Sequence, residues 1–462
     1  MRNLDLWLLA RLLVPLSLAI LPAKGLLPEP TPLPSPSPVK AAAAGDDRFG
    51  FCTHFTQGWP PDVIMPQIAA SGAAYIRDDW PWWQCEVTPG ATYQVPAALQ
   101  HWLDVAYANG LKVVVAMGSN GSGNGHVGYA DPYDPAAYSK FAAWLAAYEG
   151  PRIYAIEVGN EPNNDYKRVE GANWESLYVA LLNKTYVAVK AAGPSTLVIG
   201  VGSQGQQVFD MLATGVQCNG LTYHPYPNGI PAETTYEPPY TGTDSYPHWI
   251  AALRQKTNLP FYETEWGWGT AGSISEYDQA NLICRRFLQS LGLGVEHTFI
   301  YKYADEKNLT SSNATNYDAM SGVTRFHFTD YKQSLFVLKR IIPRLNLTKA
   351  SGEPVKASSS DASFVATDFY GYVFQRKLVA NVTKALTVAA VWIGNGDPRQ
   401  PVPPKTCTVS FPVPHSYGSE SYVLNPIANE QTPVSKYPNS LANGMLTVTL
   451  PISDRPLLIL VE

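Results

Sequence analysis

The sequence predicts an α/β fold, a (β/α)8 TIM barrel, followed by a C-terminal antiparallel β sandwich. Eight short apolar segments alternate with amphipathic helical patterns through the first three quarters of the chain, and only short strand-like runs remain after them. Strand–helix units that repeat in this way close most economically as a barrel of parallel strands. With 462 residues, 45% of them hydrophobic, the chain can fill the core of such a barrel and of a small second domain.

The predicted barrel strands are short runs rich in β-branched and aromatic residues, and they fall at residues 48–55, 73–78, 111–117, 153–161, 196–201, 220–224, 260–266 and 296–303. Residues 136–150 and 174–193 are two of the amphipathic segments between them. The second has apolar residues at Leu177, Val179, Ala180, Leu181 and Val187 and ends on Gly193. We expect the barrel to span residues 46–345, with its last helix ending near Pro343.

The last part of the chain, residues 346–462, has a different texture. Its apolar runs are short and are broken by Pro, Gly and Asn, as in "ALTVAAVWIGN", "TCTVSFPV" and "RPLLILVE". No helical pattern remains there. This texture predicts the β sandwich.

The N-terminus has the composition of an export signal. Arg2 and Arg11 precede an apolar stretch at residues 12–23, which is shorter than the ~20 residues that a membrane span needs. We expect a signal peptide at residues 1–25 and a Pro/Ser/Ala-rich linker at residues 26–45, hence a secreted protein with no stable membrane insertion after cleavage. An uncleaved anchor, which would hold the protein at the cell surface, is the alternative.

Charge and cysteine patterns narrow the function. The net charge is -5 and no Lys/Arg run occurs, so nucleic acid is not an expected partner. No C-x-x-C or H-E-x-x-H motif is present, and no metal or cofactor is expected. Gly123, Gly125 and Gly128 spell G-x-G-x-x-G, but no helical pattern follows, which favours a loop over a dinucleotide site. Cys52 and Cys85 could form a disulfide or remain buried thiols.

Two predicted strands end on carboxylates. Glu161 ends the fourth strand and is followed by Pro162, while Glu263 and Glu265 fall near the end of the seventh strand, on one face by its period of two. In such a barrel the C-terminal strand ends carry the catalytic groups. Acids on strands four and seven can therefore face each other, as a pair that cleaves a glycosidic bond must.

Three motifs carry a resemblance to a known group of enzymes: N-E-P at residues 160–162, H-P-Y at 224–226 and T-E-W-G at 264–267. From about Phe49 to the C-terminus, the sequence resembles retaining (β/α)8-barrel glycoside hydrolases, most closely family 39. That family includes β-xylosidases, α-L-iduronidases and bacterial exopolysaccharide endoglycosidases. The resemblance implies Glu161 as general acid/base, Glu265 as nucleophile and Asn160 as donor to the sugar hydroxyl beside the reacting carbon.

The residues themselves leave other assignments open. Glu263 competes with Glu265 as nucleophile, although a buried ion pair with Arg77 is its other expected role, and Glu157 has the same alternative. We expect burial and the neighbouring carboxylate to raise the pKa of Glu161.

Further candidates for substrate binding are His224, Tyr226, Arg77, His54 and Trp80. Tyr226 could hydrogen-bond the nucleophile, and an indole in the cluster around Trp80 could stack on a pyranose. Each could equally be a core or packing residue.

Together these features predict a secreted retaining glycosidase acting on a poly- or oligosaccharide. Xylosides, uronic-acid-containing glycans and bacterial exopolysaccharides are all compatible substrates. The alternatives are an endo-β-glycanase of another family with the same barrel, a non-catalytic carbohydrate-binding protein, and an adhesion protein that acts through the sandwich.

Overall fold

A computed structural model of the chain describes residues 46–118, 133–150, 152–164, 173–227, 231–235, 245–306, 318–376, 384–394, 397, 399–414, 418 and 420–462. The predicted signal segment, the linker and the glycine-rich stretch at residues 123–128 lie outside these residues.

Eight parallel strands close into the predicted barrel, in chain order and with the last beside the first. They are β1 (Asp46–Cys52), β2 (Ala73–Trp80), β3 (Lys112–Met117), β4 (Ile153–Val158), β5 (Leu197–Ser203), β6 (Gly220–Tyr223), β7 (Phe261–Trp266) and β8 (His297–Ile300).

Each strand is followed by a helix that packs outside the barrel. The helices are α1 (Pro61–Ala70), α2 (Ala97–Ala108), α3 (Pro135–Glu149), α4 (Trp174–Ala192), α5 (Gln206–Thr214), α6 (Ser245–Arg254), α7 (Glu276–Gly292) and α8 (Gln333–Leu345). Local chemistry sets their starts. In α3 the Asp134 side chain accepts from two backbone N–H groups and Pro135 occupies the first turn, whereas α7 begins with a capping box between Ser275 and Asp278.

The buried face of α4 differs from the sequence prediction. Leu177 and Val187 are 41% and 60% exposed, while Tyr178, Leu182 and Val189 are buried. The apolar residues of this helix extend around more than one face, so the hydrophobic pattern alone did not fix which residues contact the barrel.

Side chains fill the interior of the barrel and leave a cavity at its C-terminal end. The interior cluster consists of Cys52, Tyr75, Val114, Ala155, Ile199, Tyr262 and Phe299. Gly220 makes room for one of these rings, because a Cβ there would lie 2.3 Å from Tyr262 Cε2. All five cysteines are buried free thiols, so Cys52 and Cys85 do not pair.

The C-terminal domain is the predicted antiparallel sandwich. Its strands are β9 (Thr348–Pro354), β10 (Lys356–Ser359), β11 (Phe369–Arg376), β12 (Thr387–Ile393), β13 (Lys405–Pro412), β14 (Tyr422–Asn425), β15 (Glu430–Pro433), β16 (Asn439–Ala442), β17 (Met445–Ile452) and β18 (Leu457–Val461). One sheet has the order β9-β11-β12-β18-β14-β15 and the other β10-β13-β17-β16.

The central strand β12 is buried on both faces, which explains its continuous apolar sequence "TVAAVWI". One face, including Val388 and Trp392, belongs to the barrel's helix-layer core, and the other, including Val391, belongs to the sandwich core. Trp392 Nε1 also donates to Glu233 Oε1 of the barrel at 2.8 Å. The sandwich is therefore packed firmly on the barrel. None of the helices in the described ranges is long and apolar enough to cross a membrane.

Candidate active site

The end of β4 turns sharply and presents Glu161 at the C-terminal end of the barrel. Gly159 and Glu161 have φ of 75° and 44°, in the left-handed region that a side chain such as that of Glu161 rarely adopts. Asn164 N–H then donates to the Glu161 carbonyl at 2.7 Å, which closes a turn with Pro162 in its second position. β4 itself ends at Val158 rather than at Glu161 as predicted, because the chain leaves the strand at Gly159, whose φ is left-handed.

A bulge at the end of β7 separates Glu263 from Glu265. Glu263 lies opposite Thr298 of β8 and Trp266 opposite Ile300, so β7 holds one extra residue between these pairs. The prediction that Glu263 and Glu265 share a face was wrong, because it assumed an unbroken period of two. Glu263 points toward the helices and Glu265 points into the barrel mouth.

Among the described residues, Glu263 forms hydrogen bonds only with side chains that do not line the cavity. The Tyr246 hydroxyl from α6 donates to one of its oxygens and the Thr298 hydroxyl to the other, at 2.9 Å for Thr298. Burial raises the pKa of Glu263 to about 7. The expected ion pair between Glu263 and Arg77 does not form.

Arg77 instead joins both sides of the barrel mouth. Its Nε lies 2.6 Å from Glu157 Oε2, its Nη1 2.7 Å from Glu265 Oε1 and its Nη2 2.8 Å from Asn160 Oδ1. Burial lowers the pKa of Arg77, but the charges of Glu157 and Glu265 raise it well above its ordinary value. Because Asn160 Oδ1 accepts from Arg77, Asn160 Nδ2 remains as the donor to a bound ligand.

Each oxygen of Glu161 has one hydrogen-bond partner in the described part of the chain, His224 or Asn164. His224 Nδ1 is 2.9 Å from Glu161 Oε1, and Asn164 Nδ2 donates to Glu161 Oε2 at 2.7 Å. Burial raises the pKa of Glu161, but the hydrogen bonds and the charge of His224 lower it, and the net direction is down. The predicted rise was therefore wrong. Burial lowers the pKa of His224, while Glu265 and Glu161 raise it, and the net direction is up.

The two carboxylates on β4 and β7 lie close together. Tyr226 donates its hydroxyl to Glu265 Oε2 at 3.0 Å, and oxygens of Glu161 and Glu265 lie within 4.8 Å of each other and of a His224 nitrogen. This trio has the composition of a metal site. Each carboxylate of the trio already takes part in two hydrogen bonds, Glu161 with His224 and Asn164, and Glu265 with Tyr226 and Arg77.

A cavity of about 320 Å³ opens above this pair, a size suited to a small ligand. Its lining includes Cys52, Thr53, His54, Gln57, Arg77, Asp78, Asp79, Asn160, Glu161, Tyr226, Glu265, Tyr301 and Asp318. His224 lies directly behind Glu161 rather than on the surface of the cavity.

Two predicted substrate-binding residues do not line the cavity: His224, which contacts Glu161 from behind, and Trp80. Trp80 is only 1% exposed and packs beside Trp102, with ring centroids 6.0 Å apart, so it is a core residue. Asp79 and Tyr301 line the cavity but were missed. The strand period from Arg77 would have found Asp79, and the position of Tyr301 just after β8 would have found that residue.

A (β/α)8 barrel with carboxylates at the ends of β4 and β7 above a polar cavity is the architecture typical of retaining glycoside hydrolases. No protein-family model and no curated protein sequence matches the chain. Among solved structures, it is similar to a family 39 glycoside hydrolase from the gut symbiont Bacteroides cellulosilyticus WH2. The TM-score is 0.68 at 17% identity, over 91% of this chain and 81% of that one.

Two other families share the fold. The chain matches a family 51 α-L-arabinofuranosidase from Bifidobacterium longum with a TM-score of 0.57 and 11% identity, over 92% of this chain and 98% of that one. A family 30 subfamily 8 xylanase from Clostridium acetobutylicum matches with a TM-score of 0.54 and 14% identity, over 90% and 96%. The predicted resemblance to family 39 is thus confirmed at the level of the fold.

Proposed function

We propose that this protein is a retaining glycoside hydrolase that uses Glu265 as nucleophile and Glu161 as general acid/base. The observation that carries the proposal is the approach of their oxygens to within 4.8 Å across the cavity. Retaining enzymes hold their carboxyl groups ~5–5.5 Å apart, whereas inverting enzymes leave ~6.5–9.5 Å for a water molecule.

The geometry supports a double displacement. In the first step a Glu265 oxygen attacks the anomeric carbon, the bond to the leaving oxygen breaks, and Glu161 donates a proton to that oxygen. In the second step Glu161 takes a proton from water, the water oxygen attacks the anomeric carbon and the bond to Glu265 breaks. Arg77 and Tyr226 each donate to a different oxygen of Glu265 and so hold its carboxylate in one orientation.

The proton for the first step resides in the pair of Glu161 and His224. Against the effect of burial, Glu265 and Glu161 raise the pKa of His224, and His224 lowers that of Glu161. Two groups joined at 2.9 Å titrate as a unit. We therefore assign the alkaline limb of the rate to loss of the shared proton rather than to Glu161 alone.

The test begins with a panel of neutral and acidic glycans, and turnover separates an enzyme from a carbohydrate-binding protein. Proton NMR of the first-formed product should show the anomeric configuration of the substrate. The opposite anomer would contradict double displacement. Sizing the products then distinguishes cleavage within chains from release of terminal sugars.

Variants separate the two roles. Glu161→Ala should lose turnover of natural glycans but still form the intermediate from an aryl glycoside whose phenol leaves without a proton. Azide needs no base, so it should restore turnover and yield a glycosyl azide. Glu265→Ala should be inactive on both substrates, and azide in place of water should not restore formation of the same glycosyl azide.

Export is part of the proposal. The apolar segment at residues 12–23 and the Pro-rich linker after it support a secreted enzyme whose partner is a carbohydrate. N-terminal sequencing of the protein recovered from the medium of the producing cell should begin near residue 26. Recovery only with membranes would favour the uncleaved anchor.

A further inference from the structure

The described wall of the cavity carries an excess of negative charge. Five of its side chains are acidic, namely Asp78, Asp79, Glu161, Glu265 and Asp318, against Arg77 and the ionisable ring of His54. This excess of negative charge repels any negatively charged substituent of a sugar that enters the cavity.

Both basic side chains already lie beside acidic side chains of the protein. All three nitrogens of Arg77 already donate, to Glu157, Glu265 and Asn160, and two carboxylates share its single charge. His54 Nδ1 lies 3.6 Å from Glu306, which also pairs with Lys302. Within the described part of the cavity, a uronate would find no cation that lacks an acidic neighbour from the protein.

Asp79 differs from the other acids of the wall. Asp78 is held by the hydroxyls of Thr53 and Thr56 and by the N–H of Phe55. Asp79, at the end of β2, is exposed to the cavity, and no hydrogen bond reaches its carboxylate from the described residues. Its oxygens offer about four acceptor sites to a ligand.

We propose that Asp79 makes this site selective for uncharged sugars, because its carboxylate accepts hydrogen bonds from the hydroxyls of a neutral sugar and repels the carboxylate of a uronate. This inference rests on the proposed function and narrows its substrate class to neutral glycans. It separates them from the uronic-acid-containing glycans that the sequence alone left open.

The expected discrimination follows from the charges. Two carboxylates about 6 Å apart, at an effective dielectric constant of about 20, repel each other enough to raise the dissociation constant on the order of 100-fold. Screening by salt reduces this, so we expect at least about a tenfold preference for the neutral member of a matched pair.

The experiment compares substrates that differ only in charge. The full chain is assayed with 4-nitrophenyl β-D-glucoside and β-D-glucuronide, and with a glucuronate-containing polysaccharide before and after reduction of its carboxyl groups. The value of kcat/KM should be at least about tenfold higher for the neutral member of each pair that is cleaved. Equal or faster cleavage of the uronate would overturn the inference while leaving the glycosidase intact. Absence of turnover for every glycan in these pairs and in the panel would instead overturn the proposed function.

The Asp79→Asn variant tests the residue, because it removes the charge and keeps the shape. The neutral-to-uronate ratio should fall about tenfold in this variant and stay constant in the control Asp361→Asn, which removes an exposed charge on the sandwich. Desolvation by the surrounding protein raises the pKa of Asp79. The assays are therefore run at the highest pH at which the enzyme is active, where the Asp79 carboxyl is most fully ionised.

Ionic strength provides the readout that a structural role would not give. Raising NaCl from about 0.01 M to about 1 M shortens the Debye length from ~30 to ~3 Å, so the preference of the unaltered enzyme should shrink. The ratio in Asp79→Asn should change much less. A preference that is independent of salt and unchanged by Asp79→Asn would overturn the assignment.

Discussion

Arg77 is the residue whose replacement should disturb the active site most. Its guanidinium is 4% exposed and lies between Glu157 and Glu265, which are 0% and 8% exposed. The N–O distances are 2.6 and 2.7 Å. At a charge separation of about 4 Å and an effective dielectric constant of about 20, each pair contributes about 4 kcal/mol of Coulomb attraction, offset by the cost of burying the ions.

The Arg77→Met variant should therefore lose about 3–5 kcal/mol of unfolding free energy, because two buried carboxylates lose their cation. Glu265 should also lose one of the two donors that orient its carboxylate, so kcat/KM should fall. Arg77→Lys should lose less unfolding free energy because it keeps the charge. Some loss should remain, since one ammonium cannot reach three acceptors in the geometry of the guanidinium.

Equilibrium urea unfolding followed by Trp fluorescence, together with kcat/KM, measures both effects. The matched control is Arg325→Met, which also removes an arginine with two acidic partners, Glu276 and Asp330, but at a site where the arginine is 45% exposed. Its loss should be below about 1 kcal/mol. If the unfolding free energy of Arg77→Met lies within about 1 kcal/mol of the unaltered protein and kcat/KM is unchanged, Arg77 does not hold this site together.

Three further variants test other parts of the structure. His224→Gln should move the alkaline limb of kcat/KM at least about one pH unit toward acid, since Glu161 alone must then hold the proton. The same variant should also lower stability, chiefly between pH 4.5 and 6.5. The contribution of Glu161 to stability is present above pH 4.5 and is lost as the pH falls through the lowered pKa of Glu161. The contribution of His224 is present below pH 6.5 and is lost as the pH rises through the raised pKa of His224. Tyr226→Phe removes a donor to Glu265 and should lower kcat/KM by on the order of 10- to 100-fold with little change in melting temperature. Trp392→Ala, in the sandwich, should cost about 3–5 kcal/mol of unfolding free energy while kcat/KM per folded molecule stays constant.

Much of the fold could be predicted because it depends on patterns that a sequence displays directly. Eight apolar runs separated by helical segments define the barrel, and the Asn-Glu-Pro sequence at residues 160–162 lies just beyond the end of β4. The same reasoning located Glu161 and Glu265 at the barrel mouth, since parallel strands end at one edge of the sheet.

The details that failed depend on contacts between distant parts of the chain. The bulge in β7 turns Glu263 outward, and it arises from the pairing of β7 with β8, which periodicity cannot reveal. The direction of the Glu161 pKa depends on His224, 63 positions away in the sequence. Trp80 is buried because Trp102 of α2 packs beside it. Each outcome is set by a tertiary partner and not by the local sequence.

The most direct test of the central claim is to trap the glycosyl-enzyme intermediate and identify the residue that carries the sugar. The enzyme is treated with an activated 2-deoxy-2-fluoro glycoside of the sugar that the panel identifies, and the labelled peptide is located by mass spectrometry. We expect one sugar on Glu265, in the unaltered enzyme and in Glu263→Gln alike. A label on Glu263, or turnover that inverts the anomeric configuration without a covalent adduct, would contradict the assignment of Glu265 as nucleophile.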